Sequence, residues 1–160
     1  MNKMITASNS VFSFMLVLLL LNGCVSQPYG NFIQNPSTTY SKVMADDVTA
    51  QIVRLYPAAN TQFNLRHGVN DPFGKALIEN LRLEGFAVQE TIQQSIQQQI
   101  FAAPNQPDTE SKKGLALSYI IDQSGDLYHV KLMIDDMRLS RAFAAQVDSI
   151  HPAGLWVRKE

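Results

Sequence analysis

The most reactive side chain in this sequence of 160 residues is its single cysteine thiol, at Cys24. It closes the tetrapeptide Leu21-Asn22-Gly23-Cys24, at the end of the apolar run Val11–Leu21. A thiolate is a nucleophile that can be acylated or alkylated, but one cysteine alone cannot make an internal disulfide. The remaining candidates for chemistry are scattered. His67, His129 and His151 stand apart from one another, without the second ligand at i+3 or i+4 that helical metal sites use. His129 falls on the polar side of an alternating stretch and reads as an exposed residue. Asp46 and Asp47 are adjacent, so on a helix they point to different sides and read as a solvated face. Asp135-Asp136 sits where a turn is expected, and aspartate is favoured there for backbone reasons. Gly68 and Gly74 do not form a phosphate loop, and no Gly-x-Ser-x-Gly elbow occurs. The pattern predicts no catalytic residue, no metal and no enzyme activity.

The N-terminal stretch resembles a bacterial lipoprotein signal peptide. One charge, Lys3, precedes the apolar run, and Gly23 supplies the small residue before the cysteine. The run is short of the ~20 apolar residues needed to span a bilayer, and lies within the ~7–15 of a signal-peptide h-region. Residues 1–23 are therefore expected to be removed, with Leu21, Asn22 and Gly23 as the lipobox and Cys24 as the lipidated residue. The resemblance implies no cofactor beyond a covalent diacylglycerol and N-acyl lipid on Cys24. One myristoyl chain binds a membrane only marginally, whereas two anchors hold. Val25 rather than Asp follows the cysteine, which by analogy with enteric lipoproteins implies the outer membrane, facing the periplasm.

Loss of residues 1–23 removes only Lys3 and leaves the rest mildly acidic. No cluster of Lys and Arg marks a sequence-specific nucleic-acid footprint. Without a disulfide framework the fold must rest on its core, and about 130 residues suffice for one domain.

Residues 24–39 read as the lipidated N-terminus and a polar linker broken by Pro28, Gly30 and Pro36. Tyr29, Phe32 and Ile33 are out of place in a passive spacer. They either pack back on the domain or dock on a partner. Residues 40–160 read as a single α+β domain. Met44, Val48, Ile52 and Leu55 predict a helix over Ser41–Tyr56, with Asp46 and Asp47 in its first turns. Thr61–Leu65 alternates as a strand. Asp71-Pro72 starts a second helix, Gly85 closes it, and Phe86–Val88 resumes a strand. Within 89–113, glutamines interleave with Ile92, Ile96 and Ile100, followed by a polar loop expected to be mobile. Leu115–Ile121, Tyr128–Ile134, Arg138–Gln146 and Gly154–Arg158 predict a β-meander, although the alanines after Arg141 leave helix open for the third piece.

Several blocks in order carry a further resemblance. Tyr29-Gly30-Asn31-Phe32, Leu55-Tyr56-Pro57-Ala58, Phe63-Asn64-Leu65, Asp71–Leu77, Gly85–Val88, Arg138–Phe143 and Pro152–Lys159 resemble the TrbH family of conjugal transfer lipoproteins. The resemblance covers nearly the whole chain after Cys24, with residues 89–113 contributing least. It implies a structural component of the mating-pair-formation apparatus, a type IV secretion channel for plasmid transfer. The implied partners are outer-membrane channel proteins, with membrane contact through the lipid anchor and a ring-like oligomer left open. Tyr29, Phe32 and Ile33 are the residues expected to dock. The alternatives are a stand-alone envelope lipoprotein that binds a cell-wall or lipid ligand, and a small hydrolase.

Overall fold

The computed structural model describes residues 28–90 and 114–160. The lipobox and Cys24, and all but the first two residues of the Gln-rich stretch and its loop, lie outside the described residues. The architecture is α+β: two helices pack on one face of a largely antiparallel sheet. In chain order the elements are β1 (Gly30–Asn31), α1 (Thr38–Leu55), β2 (Gln62–Leu65), α2 (Pro72–Leu83), β3 (Ala87–Gln89), β4 (Leu115–Ser124), β5 (Leu127–Ile134), β6 (Met137–Gln146), β7 (Ser149–Pro152) and β8 (Val157–Lys159). The main strand order is β3-β2-β4-β5-β6-β7. Two short strands fill the remaining edges. β1 lies parallel to β4 beyond the end of β2, and β8 lies antiparallel to β6 beyond the end of β7.

Local rules account for most of these boundaries. The Asp71 side chain accepts hydrogen bonds from the Phe73 and Gly74 amides, both at 3.1 Å, and Pro72 occupies the first helical position. At the other end Gly85 is left-handed, with φ +88. The Phe86 amide reaches the Leu81 carbonyl and the Gly85 amide the Arg82 carbonyl, a Schellman closure. Its hydrophobic partners, Phe86 and Leu81, are both core residues. The β4–β5 hairpin turns on Gly125-Asp126, with Gly125 at φ +59. The β5–β6 turn places Asp135 at φ +49, a conformation aspartate tolerates. Asp135 also exchanges backbone and side-chain bonds with Ala116, which fixes that turn to the start of β4.

Register then sorts the side chains. Leu117, Tyr119 and Ile121 of β4 face Ile134, Leu132 and Val130 of β5. Leu139 and Phe143 continue the same face on β6. Against it lie Met44, Val48 and Ile52 of α1 and Phe73, Leu77 and Leu81 of α2, all buried. Phe63 sits between Tyr56 and Phe86 at ring-centroid distances of 5.7 and 5.4 Å. Pairing along both edges decides the ambiguous segment 138–146, whose alanines gain no helix partner.

Four boundaries depart from expectation, one of them the last strand, which spans Val157–Lys159 and not Gly154–Arg158 because only Val157, Arg158 and Lys159 pair with β6. α1 begins at Thr38, capped by the Ser37 hydroxyl on the Tyr40 amide. Asp46 and Asp47 therefore lie mid-helix, not in its first turn. The segment read as linker contains β1, because the middle of β4 offers it free hydrogen-bonding groups. Ser149–Pro152 forms a strand after a turn at Val147-Asp148 that lacks glycine or asparagine.

Gly74 is required for close approach. A Cβ there would lie 2.1 Å from the Tyr119 hydroxyl and 2.4 Å from Val69 Cγ1. Gly74→Ala is expected to destabilise the fold by about 2–3 kcal/mol, combining overpacking with damage to the α2 cap. A urea melt checks this, and an unchanged midpoint contradicts it.

Candidate docking surface

The site grows from the way the chain enters the sheet. β1 contributes only two residues, yet side chains hold it on both sides. The Asn31 amide donates to Asp71 Oδ1 at 3.3 Å, while Asn31 Oδ1 accepts the Ile33 amide at 2.9 Å. The Phe32 amide donates to the Ile121 carbonyl at 2.9 Å. His67, buried after the end of β2, bridges the gap between β2 and β1. Its Nε2 accepts the Tyr119 amide at 3.4 Å, which puts the proton on Nδ1, donated to the Gly68 carbonyl at 3.1 Å. Tyr29 stacks on the His67 ring at 6.1 Å, and Tyr119 and His67 pack T-shaped at 4.5 Å. The Tyr119 hydroxyl donates to Asp71 Oδ2. Burial and then that carboxylate push the Tyr119 phenol far above its usual range, so it stays a donor.

The three residues expected to dock are thus placed differently. Tyr29 is half-buried against His67, Ile33 packs against the core, and Phe32 projects with 55 % of its surface exposed. The structure brings Tyr29 to the open face of the sheet, the one without helices. There it borders a hollow of about 470 Å³ together with Ile120, Lys131, Met133, Arg138 and Lys159.

Elsewhere on the open face, Asp122 of β4 receives Lys131 Nζ at 2.8 Å and lies 2.9 Å from His129 Nδ1. Burial alone would raise the Asp122 carboxyl, but the hydrogen bonds and charges of Lys131 and His129 outweigh it and hold the group below its usual range. His129 is therefore only part-exposed and carries an acidic partner. His151 is exposed, beside Ser149.

A second cluster joins the helices to the far edge of the sheet. Arg141 stands on the core face of β6 between Leu139 and Phe143, and its Nη1 donates to both carboxylate oxygens of Asp47 of α1 at 2.8 and 2.9 Å. Trp156 Nε1 donates to the same carboxylate at 3.1 Å, and Arg141 Nε to the Gly154 carbonyl at 2.9 Å. Asp47 is not a solvated residue. The sequence held one signal of this: an arginine in the apolar phase of an alternating strand needs an acidic partner. Nothing local pointed to His67 or Asn31.

Asp71 caps a helix, Asp47 anchors Arg141, and His67 and His129 each hold a partner from another part of the fold, whereas His151 touches only Ser149 at the surface. Among the described residues no group of His, Cys, Asp and Glu is gathered as a metal would need. No described helix is long and apolar enough to cross a membrane.

Asp47→Ala leaves Arg141 without its counter-charge at a mostly buried place. The expected cost is about 2 kcal/mol, reduced from the fully buried figure by partial exposure. Trp156 is the only tryptophan, so its emission should shift to the red as the bond to Asp47 is lost. Unchanged emission and stability contradict the assignment. Asp122 has a depressed pKa in the fold, so its contribution is fully present above the unfolded value and lost as the pH falls through the folded one. The pair is solvent-screened, so at most about 1 kcal/mol separates the protein from Asp122→Asn at neutral pH. Urea melts across acidic pH should show that difference closing, and a difference that widens instead contradicts it.

A family model described as conjugal transfer protein TrbH matches residues 26–160, and so takes in every element from β1 to β8. No curated protein and no solved structure matches the chain. With the matched span covering the sheet, both helices and the entry segment alike, this chain belongs to the TrbH family of conjugal transfer proteins.

Proposed function

We propose that this protein is an outer-membrane lipoprotein and a structural component of a conjugative type IV secretion channel, facing the periplasm. Family membership ties the chain to conjugal transfer. The finer reading rests on how the chain passes from Cys24 into the sheet. Only three residues separate Cys24 from Pro28, and by Gly30 the backbone is already paired to β4. An acyl anchor on Cys24 would therefore hold the whole domain close to the membrane.

The observation that carries the docking role is Phe32. It is a large apolar side chain on a rigidly held segment, and more than half of its surface is open to solvent. Rigid aromatic anchors of this kind contribute most of the energy at protein interfaces. The terminal strand β3 is a weaker candidate for adding a partner strand. It is three residues long, and Arg82 already occupies the Val88 carbonyl at 3.3 Å. Charge beside an edge strand discourages such pairing. The binding partners in this reading are outer-membrane channel proteins, and the protein acts without catalysis.

Phe32→Ala should leave the thermal midpoint and the membrane fractionation unchanged while lowering plasmid transfer about tenfold or more. Normal transfer by a membrane-bound Phe32→Ala protein contradicts Phe32 as the docking anchor.

A further inference from the structure

We infer that the open face of the sheet rests on an anionic phospholipid surface, seated at the hollow between Tyr29 and the Arg138–Lys159 pair. This inference depends on the reading of Cys24 as an acylated anchor. Pairing across β4, β5, β6 and β8 lays out two rows on that face. One row is Ile120, Lys131, Ser140 and Val157, and the next is Ser118, Met133, Arg138 and Lys159.

Arg138 and Lys159 stand directly opposite one another on paired strands. Like charges in that position oppose pairing unless an anion relieves them. Among the described residues neither has a carboxylate within ion-pair distance, whereas Lys131 is paired with Asp122 and Arg158 with Glu160. Beside these two free cations lie Ile120, Met133 and Val157, the last with 62 % of its surface exposed. Cations interleaved with apolar side chains match a layer of phosphate headgroups over acyl chains.

The tether favours this occupant over others. Tyr29 borders the same hollow, and Cys24 is four residues before Pro28. Four extended residues reach at most about 14 Å. A bilayer surface holding the acyl chains is thus within reach of this face, and the tether is short enough for the two cations to come inside the ~8–10 Å over which the surface charge acts. A nucleic acid is a poorer fit, because two free cations on a mildly acidic chain do not make a basic stripe.

The test uses the lipidated protein purified in detergent and reconstituted into vesicles. With the native thiol acylated, Val157→Cys and Val147→Cys each supply a single free thiol at an exposed position. Val147 lies in the β6–β7 turn, away from the hollow. A membrane-impermeant maleimide should modify Val157→Cys about tenfold more slowly in vesicles containing phosphatidylglycerol than in phosphatidylcholine alone. Val147→Cys should react alike in both, and adding Arg138→Gln with Lys159→Gln should abolish the protection of Val157→Cys. Equal rates for Val157→Cys in the two vesicles overturn the inference, as does protection that appears only when an oligonucleotide or a channel protein is added. Failure of the anchor reading is distinct: the intact mass would lack acyl chains and the protein would not float with either vesicle.

Discussion

The hydrogen bond from the Tyr119 hydroxyl to Asp71 ties together parts of the chain that local rules alone would leave independent. Asp71 Oδ1 accepts two amides of the first turn of α2 and the Asn31 side chain, while Oδ2 takes the phenol. One carboxylate thus starts a helix, fixes the middle of β4 and holds β1. The helix terminus and the donated bonds stabilise its charge, so a polar group beside the core costs little. The same contact explains why Gly74 has no side chain, since the phenol fills that space. It also orients Tyr119 so that its ring packs T-shaped against both Phe73 and His67.

From that constraint follows the geometry of attachment. Because β1 is locked into the sheet from Gly30, only five residues of sequence separate Cys24 from the first paired one, and an acylated Cys24 would be a short tether. The helices shield one face, and the opposite face is left with Tyr29, the free cations and the hollow. Under the proposed anchoring at Cys24, the domain would have few orientations relative to a membrane, which would suit a fixed element of a channel better than a freely searching one. At the far edge, Asp47, Arg141 and Trp156 pin the C-terminal residues to α1, so the strand that carries Lys159 is also fixed.

Much of the fold could be read residue by residue. Asp71-Pro72 and Gly85 mark helix ends through backbone chemistry that acts within a few positions. The alternation from Leu115 to Ile134 assigns each side chain to a face without further information. What escaped depended on distance. Gly30-Asn31 has no alternation and becomes a strand only because β4 pairs with it. The apolar stripe begins at Met44 and carries no mark of the extra turn before Ser41, so the cap at Ser37, and with it the mid-helix place of Asp46 and Asp47, was not legible. Asp47 lies 94 positions from Arg141 and 109 from Trp156, so no local pattern could join them. Of the docking candidates, composition flagged Tyr29, Phe32 and Ile33 together. Only the fold separates Ile33, packed against the core, from Phe32 in solvent.

The most direct measurement is co-purification of the envelope complex from conjugating cells that carry either the native protein or Cys24→Ser. The account predicts that native protein brings down secretion-channel subunits, and that Cys24→Ser loses both the mature membrane-anchored form and those subunits. Native protein that fractionates with membranes but brings down no channel subunit would contradict it.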